Sequence, residues 1–399
     1  MNVYSVLSPY IPLPISDSFW RLYLGLTPYL GLRIPILRMT GPARPRGRNA
    51  RVLVAGRPGW FNRYISQLVF LSPPSIETVA AVPIWKLRGR LRDLRDTVDL
   101  TIALADSSNA AWLFADGYLV VPTWVGMRRP APDCAEEMEL GRRSRRREIQ
   151  RIRHHAYRPF YSRAPGDLAD FYHGYHVPMC HSRYGEDAFV QGERSYRQVH
   201  ARGGILWIRK GEERVAGALL EPVDGVLQSW AFGMRGGDEA LMKQGVMAAV
   251  YLYACLQARV LGCHSIDFRA SRPFLSDGVL RYKQKWGGIL YERSTMMYED
   301  MAIAWPRWGQ VLSDVLGELS VIFRDQGRLS ALSSLDTSEP ASSQVAAQRC
   351  HQLWVPGLHR LYLVSGCGWQ PGAQPPPGCQ LLRPEQVETP AVFCEKTRR

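Results

Sequence analysis

Gly204-Ile-Leu-Trp-Ile-Arg-Lys210, Val215-Ala-Gly-Ala-Leu-Leu-Glu-Pro222 and Val226-Leu-Gln-Ser-Trp-Ala-Phe232 are three apolar runs set close together. Gly211-Glu-Glu-Arg214 separates the first two, and Asp224-Gly225 separates the last two. Asp-Gly favours a two-residue hairpin turn, so the stretch reads as a β-meander. Arg235-Gly-Gly-Asp-Glu-Ala-Leu-Met-Lys-Gln-Gly245 then leads into a helix predicted over about Val246 to Leu261. That helix is apolar nearly all round, which requires burial, here against a sheet. Gly262 serves as its cap. His264-Ser-Ile-Asp-Phe268 reads as the next strand.

Upstream, Arg51-Val-Leu-Val-Ala55 reads as a short buried strand and Trp60 to Leu71 has helical spacing. Further strands are expected at Ser75–Pro83, Leu100–Ala105 and Tyr118–Pro122, with a helix over Pro83–Thr97. This alternation implies an α/β region to about residue 130. Residues 40–50 read as a basic Pro/Gly linker. Gly56-Arg-Pro-Gly59 lacks the glycines of a dinucleotide fingerprint. Phe19 to Leu37 is apolar in character, but Arg21, Pro28, Arg33 and Pro35 interrupt it. A membrane span needs about 20 clean apolar residues, so a segment packed on the body is expected, with contact to a membrane surface left open. Leu168–His176 reads as a helix, followed by a polar loop Met179-Cys-His-Ser-Arg-Tyr-Gly-Glu-Asp187. Ser330–Gln348 is rich in Ser and Ala, and Gly366–Gly378 in Gly and Pro, so residues 326–399 are expected to form a poorly ordered tail with one short element near Gly357–Val364.

The chain has 399 residues, 46% hydrophobic and 22% charged, which excludes a wholly disordered protein and a disulfide-stapled mini-protein. Its net charge is +14, carried by 44 Arg and 6 Lys. Residues 1–130 hold 16 basic and 7 acidic side chains, residues 131–166 hold 9 and 5, and the remainder 25 and 24. An extended polyanion would therefore be drawn mainly to the first 166 residues. Within them, Arg142, Arg143, Arg145, Arg146, Arg147, Arg151 and Arg153 coat one helix whose apolar stripe is Leu140, Ile149 and Ile152. That coat is either a solvated, salt-bridged face or a phosphate-contacting one. The eight cysteines form no CxxC pair and no zinc spacing with histidine, so no metal is expected. Cys134, Cys180, Cys255 and Cys263 read as reduced core thiols, and Cys350, Cys367, Cys379 and Cys394 fall in the tail. With no export signal legible, the cytoplasm is the expected compartment.

The chemistry-bearing constellation runs from Asp267 to Gly288. A strand ends at Asp267-Phe268, a loop carries Arg269, Ser271 and Arg272, and Asp277-Gly278 starts a helix bearing Arg281, Tyr282, Lys283 and Lys285. Asp267 is either structural or a base. Lys283 and Lys285 straddle one helical position, so one of them is expected to face a cleft. Tyr282 and Tyr291 are core aromatics or proton donors. His181, Arg183 and Tyr184 are expected to orient or bind substrate, and Arg269, Ser271 and Arg272 to contact substrate or phosphate from their loop.

This order of meander, glycine-bearing loop, buried helix, Asp-Phe strand and Ser-Arg…Asp-Gly…Tyr-Lys-x-Lys-Trp-Gly run resembles the second acetyltransferase-like domain of FemAB-type acyltransferases, a group that includes BioF2-like domains of the GNAT superfamily. The resemblance covers roughly residues 120–295. It implies an α/β fold with a mixed sheet, made of two GNAT-like halves: residues 1–50 as apolar segment and linker, 51–130 as a degenerate half, 131–325 as the acyltransferase domain and 326–399 as the low-order tail. It implies direct N-acyl transfer from an activated carrier, acyl-CoA or aminoacyl-tRNA, to an amine of a small molecule or cell-envelope precursor, with no permanently bound cofactor. It places the carrier's pyrophosphate on Lys243, Gln244, Gly245 and Val246 at a helix start and charge stabilisation on Lys283, with Asp267 and Tyr282 as further catalytic candidates. Two departures stand out: Arg269 replaces a common glycine, and Ala248 and Ala249 stand where the phosphate-binding string carries its later glycine. A non-catalytic nucleic-acid-binding protein of the same fold is the reading from a different class.

Overall fold

The computed structural model describes residues 33–56, 60–106, 114, 117–140, 143–185, 188, 190–293, 299–335 and 339–393. Its strands are β1 (Arg33–Ala43), β2 (Arg48–Ala55), β3 (Ser75–Pro83), β4 (Leu100–Asp106), β5 (Leu119–Pro122), β6 (Val125–Pro130), β7 (Tyr157–Ser162), β8 (Gly204–Lys210), β9 (Glu213–Val223), β10 (Val226–Met234), β11 (Ser265–Ser271), β12 (Ile289–Glu292), β13 (Glu299–Ala304), β14 (Val321–Asp325), β15 (Arg328–Leu335), β16 (Leu361–Ser365) and β17 (Cys379–Leu382). The α-helices are α1 (Trp60–Val69), α2 (Ile84–Leu94), α3 (Ala135–Glu139), α4 (Arg143–His154), α5 (Asp167–Phe171), α6 (Val177–Tyr184), α7 (Glu193–Arg202), α8 (Glu239–Lys243), α9 (Val246–Val260), α10 (Gly278–Lys285), α11 (Gln310–Leu319) and α12 (Ser343–Leu353). A π-helical turn, Tyr172–His176, joins α5 to α6. The fold class is the expected mixed α/β.

The chain divides into two compact units. The first comprises Gly126–Ala270 and Tyr282–Ile289. Its sheet runs β12-β6-β11-β10-β9-β8-β7. The meander is present as read: β8 pairs antiparallel with β9, and β9 with β10. Asp224 and Gly225 have φ of 49° and 72°, the left-handed pair that a type I′ turn needs. The helix α9 buries ten of its residues, Val246 to Leu252 together with Ala254, Cys255 and Ala258. Burying each Val, Leu or Met side chain stabilises the fold by about 1.5–3 kcal/mol, which anchors α9 on the sheet. Helices α5 and α7 cover a second core of Leu168, Phe171, Tyr196, Val199, Trp207, Leu219 and Ala231. The polar loop expected at 179–187 is instead helical as far as Tyr184. Pro178 sits in the first turn of α6, directly after the π-helical turn.

The second unit holds the remaining described residues, including Ser271–Arg281. A six-stranded sheet runs β3-β1-β2-β4-β13-β5, and a four-stranded sheet runs β14-β15-β16-β17. Three expectations change here. The linker at 40–50 is a hairpin: β1 pairs with β2 from Ile36↔Ala55 to Ala43↔Arg48. Its glycine and prolines mask a strand whose Ile36 and Met39 are buried. The boundary at residue 325 does not hold either, because β13 inserts between β4 and β5. Finally, the described residues of the tail, 326–335 and 339–393, are folded. Phe323, Leu332, Tyr362, Val364 and Leu382 share one core with Val52, Val54, Ile102 and Val121. The buried β15 residues Ser330, Ser333 and Ser334 gave that strand a low-complexity look. They are satisfied internally: Ser330 Oγ donates to Asp325, Ser333 meets Ser320, and Ser334 meets Ser313.

Cys180, Cys255 and Cys263 are buried thiols, and burial pushes the Cys255 thiol up to about 12. Cys134 is exposed rather than core, as is Cys367. Cys350 and Cys379, which the sequence assigns only to the tail, are joined in a disulfide between α12 and β17. Residues 1–32 and Cys394 lie outside the described residues. Among the described residues, no helix is long and apolar enough to cross a membrane.

Candidate active site

The geometry that matters is where β10 leaves β11. Strand β10 pairs with β9 along its whole length, from Val226↔Val223 to Met234↔Ala216. With the parallel β11 it pairs only at Val226↔Ser265, Leu227↔Ile266 and Gln228↔Asp267. Beyond Gln228 and Asp267 the two strands part. A crevice at the carboxyl ends of diverging parallel strands is the usual ligand position in such sheets. At that point β10 also carries a bulge: Ser229 opposes Leu220 and Ala231 opposes Leu219, so Trp230 is the extra residue. A bulged residue's backbone groups drop out of the ladder and can meet a ligand.

Side chains converge on the split from both faces of the sheet. On one face the Arg269 guanidinium lies 3.7 Å from the centre of the Trp230 ring, and its Nη1 donates to Gln228 Oε1 at 3.3 Å. Arg269 has φ of 63°, a left-handed conformation that costs a non-glycine residue about 1–2 kcal/mol. That explains why glycine suits this position and what the substitution had to overcome. Asp267 holds the turn, its Oδ1 accepting the Arg269 backbone N–H at 2.7 Å. Its Oδ2 lies 3.7 Å from Arg128. On the other face Tyr251 is stacked against Phe232 at 4.9 Å and packs on Phe268 and Tyr282 at 5.2 and 5.0 Å.

The start of α9 lies in the same unit. Gly245 is its N-cap with φ of 83°, and no side chain caps the helix. A Cβ there would sit 2.7 Å from Arg151 Cδ and 3.5 Å from Glu148 Oε2. Glu148 in turn pairs with Arg151 and with Lys285. A carboxylate paired with two cations beside an uncapped helix N-terminus stands where such a terminus favours an anion. Of the expected cradle, Gly245 and Val246 open the helix, Gln244 accepts from Lys210 Nζ at 3.1 Å, and Lys243 is exposed.

Several expected roles change. Lys283 is 3% exposed, and its ammonium donates to the backbone oxygens of Arg269 at 3.1 Å and Ala270 at 2.5 Å. It fixes the end of β11 instead of facing a cleft, while Lys285 turns to Glu148. Asp267 is 2% exposed and spends one oxygen on the backbone, so its work is positioning. Tyr282 is a core aromatic between Tyr251 and Trp286, and burial pushes its phenol well up, keeping it protonated at neutral pH. Arg183 lies close enough to draw that phenol slightly back down. His181 and Arg183 are exposed on the last turn of α6, and the Tyr184 side chain lies outside the described residues. Ser271 and Arg272 fall in the second unit, where Arg272 is sandwiched between the rings of Tyr64 and Trp124 at 4.1 and 4.0 Å. The loop expected to contact substrate is thus packed aromatic structure at Arg272.

His173 meets Glu193, and His176 meets Phe232 O and Tyr196. A groove of about 340 Å³ in the second unit is lined by Tyr291, Glu292, Arg328 and His359 among others, and of the expected candidates it holds Tyr291 alone. Sequence reasoning missed Gln228, Trp230, Arg128 and Glu148. The one available signal was in Gln228-Ser-Trp-Ala-Phe232, where strict alternation breaks at the bulge.

No protein-family model and no curated protein matches the chain. Solved structures do. The chain is similar to GNAT-type acetyltransferases, FemX and L-PGS. A GCN5-related N-acetyltransferase from Kribbella flavida is 11% identical, with 82% of this chain and 71% of that one covered and a TM-score of 0.27. L-PGS from Bacillus licheniformis is 11% identical over 70% and 87%, with a TM-score of 0.32. FemX is 12% identical over 70% and 90%, with a TM-score of 0.33.

Proposed function

We propose that the chain is an N-acyltransferase that moves an acyl group directly from a carrier thioester, acyl-coenzyme A, to an amine. The observation that carries the reading is the parting of β10 from β11 at the Trp230 bulge, with the N-terminus of α9 in the same unit. The acyl arm enters the split, and the carrier's pyrophosphate takes the place of the Glu148 carboxylate at Gly245 and Val246. Arg151 and Lys285, released from Glu148, then neutralise the phosphates. Amine attack on the thioester carbonyl forms the new C–N bond and a tetrahedral oxyanion. The Trp230 backbone N–H, outside the ladder, stabilises that charge as it develops. Collapse breaks the C–S bond. The leaving thiolate takes up, through water, the proton that the attacking amine sheds. No covalent enzyme intermediate is needed.

Titration of the protein with coenzyme A and acetyl-coenzyme A, followed by calorimetry, tests the reading. Saturable binding is expected, weakened at least about tenfold by Gly245→Glu, which sets a like charge on the phosphates. Absence of binding by the wild-type chain overturns it.

Aminoacyl-tRNA as the carrier is a second reading, supported by the exposed Arg143, Arg146, Arg147, Arg151 and Arg153 of α4. Part of this charge is already engaged, since Arg146 donates to Glu139 O and Arg153 pairs with Glu139. Arg142 lies outside the described residues. Nuclease-sensitive RNA in the purified protein and amide formation from charged tRNA would favour this reading over coenzyme A. RNA binding without amide formation would favour a non-catalytic nucleic-acid-binding protein.

A further inference from the structure

Helix α2, Ile84-Trp-Lys-Leu-Arg-Gly-Arg-Leu-Arg-Asp-Leu94, has two faces of opposite character. Leu87 and Leu91 are buried in one core with Ile36, Leu53 and Ala103 of the six-stranded sheet, and Ile84 and Leu94 pack against the same cluster. At about 3.6 residues per turn, Trp85, Gly89, Arg92 and Asp93 fall on the opposite face, with Lys86 and Arg90 along one flank. Trp85 is 53% exposed. Lys86, Arg92 and Asp93 are also exposed, and Arg90 is half-buried. An indole outside the core is best accommodated at a boundary between water and an apolar phase. Lys86 stands in a first turn that holds no acid, so its charge adds to the positive end of the helix dipole instead of offsetting it. Arg88 and Arg95 act on the Tyr118 phenol, and Arg95 also meets Asp96. The outer face therefore sets Lys86, Arg90 and Arg92 against Asp93.

Strand register supplies a second observation. Arg33, exposed at the start of β1, pairs with Pro83, the N-cap of α2. The sequence that leads into Arg33 carries Trp20, Leu22, Tyr23, Leu26, Tyr29 and Leu30. An apolar, aromatic-rich stretch of sequence thus enters the fold across from the cap of the helix that exposes Trp85.

We propose that α2 docks on an anionic lipid surface, with Trp85 at the headgroup boundary and Lys86, Arg90 and Arg92 on the lipid phosphates. The cations supply the charge complementarity. The exposed indole and the adjoining apolar sequence favour a bilayer over a purely ionic polyanion.

Co-sedimentation of the full chain with vesicles of phosphatidylcholine, alone or mixed with phosphatidylglycerol, tests the proposal. Binding is expected only to the mixed vesicles and should weaken as salt rises. Replacing Lys86, Arg90 and Arg92 together by glutamine should weaken it at least about tenfold, and Trp85→Ser alone should weaken it several-fold. These side chains lie outside the core, so the thermal midpoint should stay as in the wild type. Removing three charges from α4 instead, as Arg143→Gln, Arg146→Gln and Arg147→Gln together, should leave vesicle binding unchanged. An equal loss in that variant would make the attraction a matter of net charge and overturn the proposal. Undiminished binding by the α2 variants, or none by the wild type, would overturn it too. RNA retention that the α2 variants lose, without vesicle binding, would give the face to a nucleic acid. A dimer that Trp85→Ser dissociates, without vesicle binding, would give it to a second copy, and either result overturns the lipid assignment.

Discussion

At the scale of single residues, burial decides between reactive and structural roles. Lys283 was the strongest catalytic candidate by resemblance, yet its ammonium is tied to two backbone oxygens. Lys283→Met would strand both acceptors, so a loss of about 1–3 kcal/mol in urea unfolding is expected. An unchanged midpoint would return Lys283 to the catalytic list. His176 is buried, its Nδ1 on the Phe232 carbonyl and its Nε2 on the Tyr196 hydroxyl, an arrangement that suits the neutral ring. Burial lowers its pKa from the ordinary 6.5. The unfolded chain therefore binds the proton more readily, and stability is lost as pH falls below about 6.5. Stability measured between pH 7 and 5 should fall less steeply in His176→Gln than in the wild type. Parallel slopes would rule His176 out as a source of acid sensitivity. The sequence named Asp267 and Arg269 but could not show their bond, because a left-handed arginine held by an aspartate two residues back has no compositional sign.

At the scale of elements, most of the first unit was legible. The meander, its Asp224-Gly225 turn, the all-apolar α9 and the arginine-coated α4 follow from period and turn chemistry alone. Within α4, Ile149 and Ile152 are buried as read, whereas Leu140 is 66% exposed and lies outside the helix. What stayed hidden was the bulge and the parting of β10 from β11, since pairing depends on residues far apart in sequence. The disulfide between α12 and β17 was equally invisible, as spacing does not pair cysteines. It closes a loop with a sequence separation of 29. Replacing both Cys350 and Cys379 by alanine is expected to lower stability by about 3 kcal/mol. Equal denaturation midpoints for the variant and the oxidised wild type would show that the cross-link contributes nothing.

At the scale of the whole molecule, the reading erred where small polar residues do core work. Ser330, Ser333, Ser334 and Ser365 are buried in the second unit, and a composition-based view took their surroundings for a tail. Because Leu332, Tyr362, Val364, Leu382 and Val387 share a core with Val52, Val54, Ile102 and Val121, a chain ending at 325 should lose cooperative thermal unfolding. A sharp transition in that truncated chain would mean that the six-stranded sheet stands without it. The proposed site lies in the first unit, where the gap between β10 and β11 beyond Gln228 would receive a carrier thioester. A crystal structure with acetyl-coenzyme A tests it most directly. The thioester carbonyl is expected at the Trp230 backbone N–H and the pyrophosphate at Gly245, with Glu148 displaced. Strands that remain hydrogen-bonded past Gln228 and Asp267, or a carrier bound elsewhere, would contradict it.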